Sequence, residues 1–304
     1  MEGRQISSFQ PTDKGLYPAS SRDALFYPRT GKIHPTAIID PAARIADDVT
    51  IGPFVCIEGP VVIGPGCVIE TRAILTGTVR MGRNNFVGHG SIIGAVPQDH
   101  SFNPKIHSEV IIGDNNRFYE YCTIHRGAMQ DSVTRVGSHN CFMAGIHLAH
   151  NTSVGSHVTM ANNVLLAGHV EVQDHAYIGG GAVFHQHVRI GQFVLARGKS
   201  RITKDIPPFT IAALNSIVGV NFPALRRAGF TPGERAELKA AFKLLYRSGL
   251  NTSQALERAR RMKWNSKGRV FFDFVKAAKK RGICDLRISR SVREELFLDS
   301  LIKA

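Results

Sequence analysis

Residues 51–69 read Ile51-Gly-Pro-Phe-Val-Cys-Ile57-Glu-Gly-Pro-Val-Val-Ile63-Gly-Pro-Gly-Cys-Val-Ile69. An aliphatic side chain returns every six residues, and a small or apolar residue fills the fifth position of each hexad. Self-similarity at a fixed short period marks a stacked solenoid, and an aliphatic period of six predicts short parallel strands that turn at each hexad. The register extends outward without a slip, from Ile33, Ile39 and Ile45 on one side to Leu75, Met81, Val87 and Ile93 on the other. After one interruption it resumes at Ile112, Phe118 and Ile124. After a second it runs from Val136 through Val154, Leu166, Ile178 and Ile190 to Ile202, with Ala196 its one weak start. Fifth positions such as Val49, Val55, Cys67, Ala73, Val158 and Ala182 are small enough to pack beneath the aliphatic column.

This combination resembles the left-handed parallel β-helix of hexapeptide-repeat proteins, in which three hexads close one triangular coil. The hand comes from the resemblance, because parallel crossovers are normally right-handed. The expected fold is therefore mainly β, with coils stacked about 4.8 Å apart. The solenoid is expected over residues 33–207, since neither proline of Ile206-Pro207-Pro208 can donate to a strand ladder. Residues 1–32 lack an apolar signal core and read as a flexible extension. Residues 208–304 read as a connector and a small C-terminal α-helical domain. There Thr231-Pro-Gly-Glu234 has the form of a capping box with proline at the first helical position. Leu238, Ala241, Phe242 and Leu245 fall on one face of the helix it opens, and further helices are expected around 253–263, 269–280 and 292–303. The interruptions predict loops near 95–110 and 127–135. Insertions in repeat proteins gather on one functional face, which makes both loops candidates for the walls of a substrate cleft.

Of the 304 residues 43% are hydrophobic, enough for a substantial core. No stretch approaches the ~18 uninterrupted apolar residues of a membrane span, so a protein without an integral membrane segment is expected. The five cysteines contain no Cys-x-x-Cys pair, and several stand at core positions of the hexads. That usage fits reduced, packed thiols in a cytoplasmic protein. The net charge of +14 is concentrated late in the chain, where residues 231–304 hold 18 Lys and Arg against 8 Asp and Glu. These lie on helical patterns without interleaved aromatics or a recognisable nucleic-acid module. Nucleic acid is one reading of this charge, an acidic protein or a phosphorylated small molecule explains it equally well, and most of the individual residues suit a solvated helical face.

Histidine is dense between 139 and 187. With three hexads to a coil, His150 stacks under Gly168, His169 lies beside it, and Gln186, flanked by His185 and His187, falls on the next coil. His147 lies one strand position earlier. Several imidazoles then line one groove. A neutral imidazole with a pKa near ~6.5 can serve as general base for acyl transfer. Three histidines from neighbouring coils or subunits could equally hold zinc, as in the hexapeptide-repeat carbonic anhydrases. Solvated turn residues are a third reading, and it suits His139, His157 and His175 best.

The residues His34-Pro-Thr-Ala37, Gln98-Asp99, Thr123-Ile-His-Arg-Gly127, His147-Leu-Ala-His150, Leu166-Ala-Gly-His169, His185-Gln186, Asp205-Ile-Pro-Pro208, Gly219-Val-Asn221, Leu225-Arg-Arg227 and Tyr246-Arg-Ser-Gly249 occur in a specific order and spacing. In this the chain closely resembles the acyl carrier protein dependent UDP-N-acetylglucosamine O-acyltransferases, the first enzymes of lipid A synthesis. The resemblance implies transfer of a 3-hydroxylated acyl chain from acyl carrier protein to the 3-position of UDP-N-acetylglucosamine or its 3-amino analogue, with no metal or other cofactor. It implies that His150 is the general base and that Gly168 supplies a backbone N–H to the oxyanion. Gln98, Asp99, His147, His169, His185 and Gln186 match positions that bind or orient the nucleotide sugar, and Asn221 and Arg227 match nucleotide contacts. Gly198 and Leu195 match the region that gauges acyl length. A homotrimer with its active site between subunits is implied, as is docking of the acidic carrier protein on the basic C-terminal domain. Where many members carry Asp after the base, this chain has Asn151, which can orient an imidazole but cannot stabilise imidazolium by charge. A zinc-dependent hydratase, or a catalytically silent nucleotide-sugar binding relative, remains the alternative.

Overall fold

The computed structural model describes residues 32–278 and 281–286; the extension expected at the N-terminus and the helix expected around 292–303 lie outside the described residues. Each hexad forms a strand of two to five residues, and every third strand pairs in parallel with the one a coil away. Three sheets result, of nine, eight and ten strands among the described residues. They are the faces of a triangular left-handed β-helix, followed by a small helical domain. The first face runs from Ile38–Ile39 to Arg201–Ile202, the second from Arg44–Ile45 to Arg189–Ile190, and the third from Thr50–Ile51 to the hairpin at Thr210–Ala213 and Ser216–Val220.

The hexad reading accounts for the interior. Ile51, Ile57, Ile63 and Ile69 are almost fully buried, as are the fifth-position residues Val49, Val55, Val61 and Cys67 beneath them. At about 25 cal/mol per Å² of apolar surface removed from water, this continuous column is the main source of stability in a stack whose strands are only a few residues long. Burial pushes the thiols of Cys122 and Cys284 up to about 12, which makes them packing groups rather than nucleophiles.

Uninterrupted coils place partners three hexads apart, as in Ile57 opposite Leu75. Past Ile93 the step widens, with Ile124 as partner, and past Ile124 it is four hexads, with Leu148 as partner. The additional residues are the loops 96–107 and 126–131. Both leave the strand ladder at the corner where the first face passes into the second.

The third face continues beyond Pro207 and Pro208. Thr210–Ala213 pairs in parallel with Leu195–Ala196, and Ser216–Val220 folds back antiparallel to close that end. The prolines stand at the turn before the strand, where no ladder bond is lost. Among the described residues four helices follow: α1 (Phe222–Arg227), α2 (Pro232–Tyr246), α3 (Thr252–Arg260) and α4 (Ser266–Lys276). The expected capping box opens α2, with Thr231 and Glu234 bonding reciprocally and Pro232 at the first helical position. Leu238, Ala241 and Leu245 join Leu225, Phe271 and Val275 in a second core against Phe209, while Phe242 packs on the β-helix core. Among the described residues no helix is long and apolar enough to cross a membrane.

Candidate active site

Histidine density has two causes, and the structure separates them. His139, His157, His169, His175 and His187 occupy left-handed turn positions, with φ between 59° and 64°. Asn, Asp and His tolerate that region better than most non-glycine residues. Between the second and third faces His139, His157 and His175 form an exposed ladder of parallel rings, with centroids 4.9 and 4.8 Å apart, that continues onto Phe193 at 4.6 Å. Their reading as solvated turn residues agrees with that exposure. His147 and His150 are not left-handed turn residues, so backbone preference does not explain them.

His147 faces outward on the first face, and His150 follows at the corner with only 9% of its surface exposed. With Gly168 and Gln186 on the next two coils, His150 lines an open cavity of about 280 Å³ shared with Gln98, His125 and His147, with Leu165 and Val183 as its apolar wall. A Cβ added at residue 168 would come within 2.6 Å of Cε1 and 2.7 Å of Nε2 of His150, so only glycine leaves that imidazole its place. Among the described residues the Gly168 N–H has no acceptor, whereas its carbonyl accepts from His187 N–H at 3.1 Å.

The neighbouring imidazoles are held neutral. Burial, with a smaller contribution from His125, lowers His147 to about 4, and its Nδ1 lies 2.8 Å from Thr123 Oγ1. Burial also lowers His125, although its Nδ1 donates to the Val96 carbonyl at 2.6 Å; the nearby His150 adds to the lowering. The His125 ring meets His147 edge-on at 5.0 Å. His125 was not singled out from the sequence, because the loop at 126–131 lengthens the coil by a hexad and hides its place beside His147. Its signal was its membership of the Thr123–Gly127 motif.

The remaining sequence-predicted residues are dispersed. His169 touches the His150 ring edge-on at 5.2 Å and stacks on His187 at 4.5 Å, but both line a larger groove of about 1360 Å³ on the second face. His185 is exposed, its Nδ1 3.5 Å from the Gln186 carbonyl. Asp99 is exposed beside Gln98. Hydrogen bonds from Ser101 N–H and Oγ, at 2.9 and 2.8 Å, hold its carboxyl below the usual range, helped by the proximity of His150. Asn221 is buried at the other end of the second face: its Oδ1 caps α1 and its Nδ2 donates to the Phe193 carbonyl at 2.9 Å. Arg227 is exposed in the last turn of α1. Leu195 is half-buried on the third face between Tyr177 and Ile211, and Gly198 is exposed at the corner from the third face to the first. Among the described residues no three His, Cys, Asp or Glu side chains are grouped so as to hold a metal ion.

Comparison with known proteins gives a consistent picture. Residues 205–284 match the family model described as "Udp N-acetylglucosamine O-acyltransferase; Domain 2", and residues 42–77 match "Bacterial transferase hexapeptide (six repeats)". The acyl-[acyl-carrier-protein]–UDP-N-acetylglucosamine O-acyltransferase of Syntrophobacter fumaroxidans is 39% identical over 257 residues, covering 83% of this chain and 99% of that one. The protein of the same name from Saccharophagus degradans is 45% identical over 228 residues, covering 74% and 88%. Among solved structures, the UDP-N-acetylglucosamine acyltransferase of Bacteroides fragilis superposes with a TM-score of 0.80 at 36% identity, covering 83% of this chain and 99% of that one. The Arabidopsis enzyme superposes with a TM-score of 0.79 at 30% identity, covering 84% and 100%.

Proposed function

The chain belongs to the acyl-[acyl-carrier-protein]–UDP-N-acetylglucosamine O-acyltransferases, and from that membership we propose how its residues divide the work. The enzyme transfers an acyl chain from acyl carrier protein to UDP-N-acetylglucosamine in lipid A biosynthesis. The reading of the site is carried by one observation: the His150 imidazole and the Gly168 backbone stand against each other in the wall of one cavity.

His150 removes the proton from the sugar 3-hydroxyl as that oxygen bonds to the thioester carbonyl carbon. Gly168 N–H donates to the oxyanion of the tetrahedral intermediate, a preorganised interaction of about 2.7–4 kcal/mol in comparable sites. Collapse breaks the C–S bond, and His150 returns its proton to the departing thiolate of the carrier's arm. Neutral His147 and His125 keep a second positive charge away from the imidazolium that forms. Gln98, Asp99, His147 and Gln186 orient the sugar.

A cavity of about 280 Å³ is small for a nucleotide sugar together with an acyl chain, since sites for drug-sized ligands typically span ~300–1,000 Å³. Asn221 and Arg227 stand at a different corner of the triangle from His150. A homotrimer that sets the Asn221 corner of one subunit against the His150 corner of the next unites the two sets. The acyl chain, 3-hydroxylated, runs from the His150 corner towards Leu195 and Gly198 of the neighbouring subunit, and the basic C-terminal helices receive the acidic carrier protein. We place the reaction in the cytoplasm, in keeping with five free cysteines.

The experiment that tests the reading is His150→Ala. The variant is expected to keep the oligomeric state and circular dichroism of the wild type and to lose at least ~10³-fold in kcat. Wild-type turnover in a folded variant refutes His150 as the base.

A further inference from the structure

Arg126 opens the second loop, one residue after His125, yet it lines no part of the cavity around His150. Its aliphatic stem reaches back over Gly77, with Cδ 3.6 Å from where a Cβ on that glycine would stand. Its guanidinium carbon lies 5.2 Å from the centre of the Phe102 ring, on the first loop. Nε is buried and has no hydrogen-bond partner among the described residues. Hydrogen bonding at Nε therefore does not account for the placement of this cation, whereas the aromatic face does, and burial strengthens such a contact.

Phe102 is half-buried between exposed Ser101 and Asn103. It is also tied to the proposed sugar contacts. Phe102 N–H donates to the Asp99 carbonyl at 3.1 Å, and Ser101 N–H and Oγ donate to the Asp99 carboxylate, so residues 99–102 form one hydrogen-bonded turn. A shift of the Phe102 ring is thereby carried to Asp99 and to Gln98, which lines the cavity. On the other side of Gln98 the loop is held by the same segment. Arg126 N–H donates to the Ala95 carbonyl at 3.0 Å, and His125 Nδ1 donates to that of Val96 at 2.6 Å.

From this geometry we propose that Arg126 is a positioning residue for the nucleotide sugar: stacked on Phe102, it fixes the turn that presents Gln98 and Asp99 to the site. Two adjacent residues then divide the task. His125 holds the start of the first loop from inside the cavity, and Arg126 holds the far side of Gln98 from outside it.

The inference rests on Gln98 and Asp99 contacting the sugar, and its test keeps the two claims apart. Arg126→Met retains a stem over Gly77 and removes the cation, while Phe102→Leu removes the aromatic face from a surface loop. Each is expected to raise KM for UDP-N-acetylglucosamine at least ~5-fold, with kcat within about threefold and KM for the acyl carrier protein within about twofold, because a loosened sugar contact loses binding rather than chemistry. The double variant is expected to match the larger single effect, since both changes remove one contact. Phe102→Trp, which offers a stronger ring face, is expected to keep KM within about twofold of wild type. Wild-type KM in Arg126→Met, or single effects that multiply in the double variant, overturns the proposal. Should Arg126→Met fail to fold, wild-type KM in Phe102→Leu overturns it, and a raised KM there that Phe102→Trp restores supports it. If Gln98→Ala and Asp99→Ala raise KM while Arg126→Met does not, only the positioning claim falls. If none of the three raises it, the assignment of the sugar contacts falls as well.

Discussion

The contact between Gly168 and His150 is a steric constraint on the proposed base. A methyl group at residue 168 would press on Cε1 and Nε2 of the imidazole at 2.6 and 2.7 Å, while its backbone φ leaves alanine otherwise admissible. Gly168→Ala is therefore expected to fold, because the turn itself is not strained, and to displace the His150 ring from its bond to Asn151. Turnover should fall by about two orders of magnitude or more, the scale on which misplaced catalytic groups and lost oxyanion donors are felt. Steady-state kinetics alongside thermal unfolding checks this, and a variant with unchanged Tm and unchanged kcat contradicts it. Counting three hexads to a coil brought His150, Gly168 and Gln186 together from the sequence. It could not supply the contact of Arg126 with Phe102, because both lie on insertions that the repeat does not index.

Regular elements were the most legible part of the chain, since the hexad register and the capping box at Thr231–Glu234 are local patterns that tertiary packing reinforces. What was not legible depends on contacts distant in sequence. The strand at Thr210–Ala213 follows two prolines, and only the exposed edge of Leu195–Ala196 explains it. The attachment of the helical domain is similar. Arg189, on the last strand of the second face, pairs with Asp205 at 2.7 Å, donates to the Phe274 carbonyl at 3.1 Å and lies over the Phe274 ring at 4.4 Å. Asp205 is almost fully buried and also receives the Arg189 N–H at 2.9 Å. Removing one member leaves a largely desolvated charge, a loss of about 3–5 kcal/mol, whereas the exposed pair of Arg260 with Glu257 is worth under ~1 kcal/mol. Asp205→Ala is accordingly expected to lower stability to urea markedly and Glu257→Ala hardly at all. Equal midpoints for the two variants contradict this account.

At the scale of the whole molecule, both long loops and the proposed catalytic column occupy one edge of the triangular prism, while Asn221 and Arg227 occupy another. A site assembled from both edges predicts complementation. His150→Ala and Arg227→Ala chains, each impaired alone at nucleotide-sugar concentrations below KM, are expected to regain about a quarter of wild-type activity when co-assembled at random. One neighbouring pair in four then unites an intact His150 with an intact Arg227. No gain on mixing shows that both act within one chain. The prism has one more consequence, for selectivity. Its coils repeat at a spacing fixed by backbone hydrogen bonding, about 4.8 Å, and cannot be compressed or stretched. A groove running along them is a graduated scale. An obstructing side chain can be moved up or down such a groove only by whole coils, so an extended ligand is measured in discrete increments, and intermediate lengths are distinguished only by side-chain bulk at a given level.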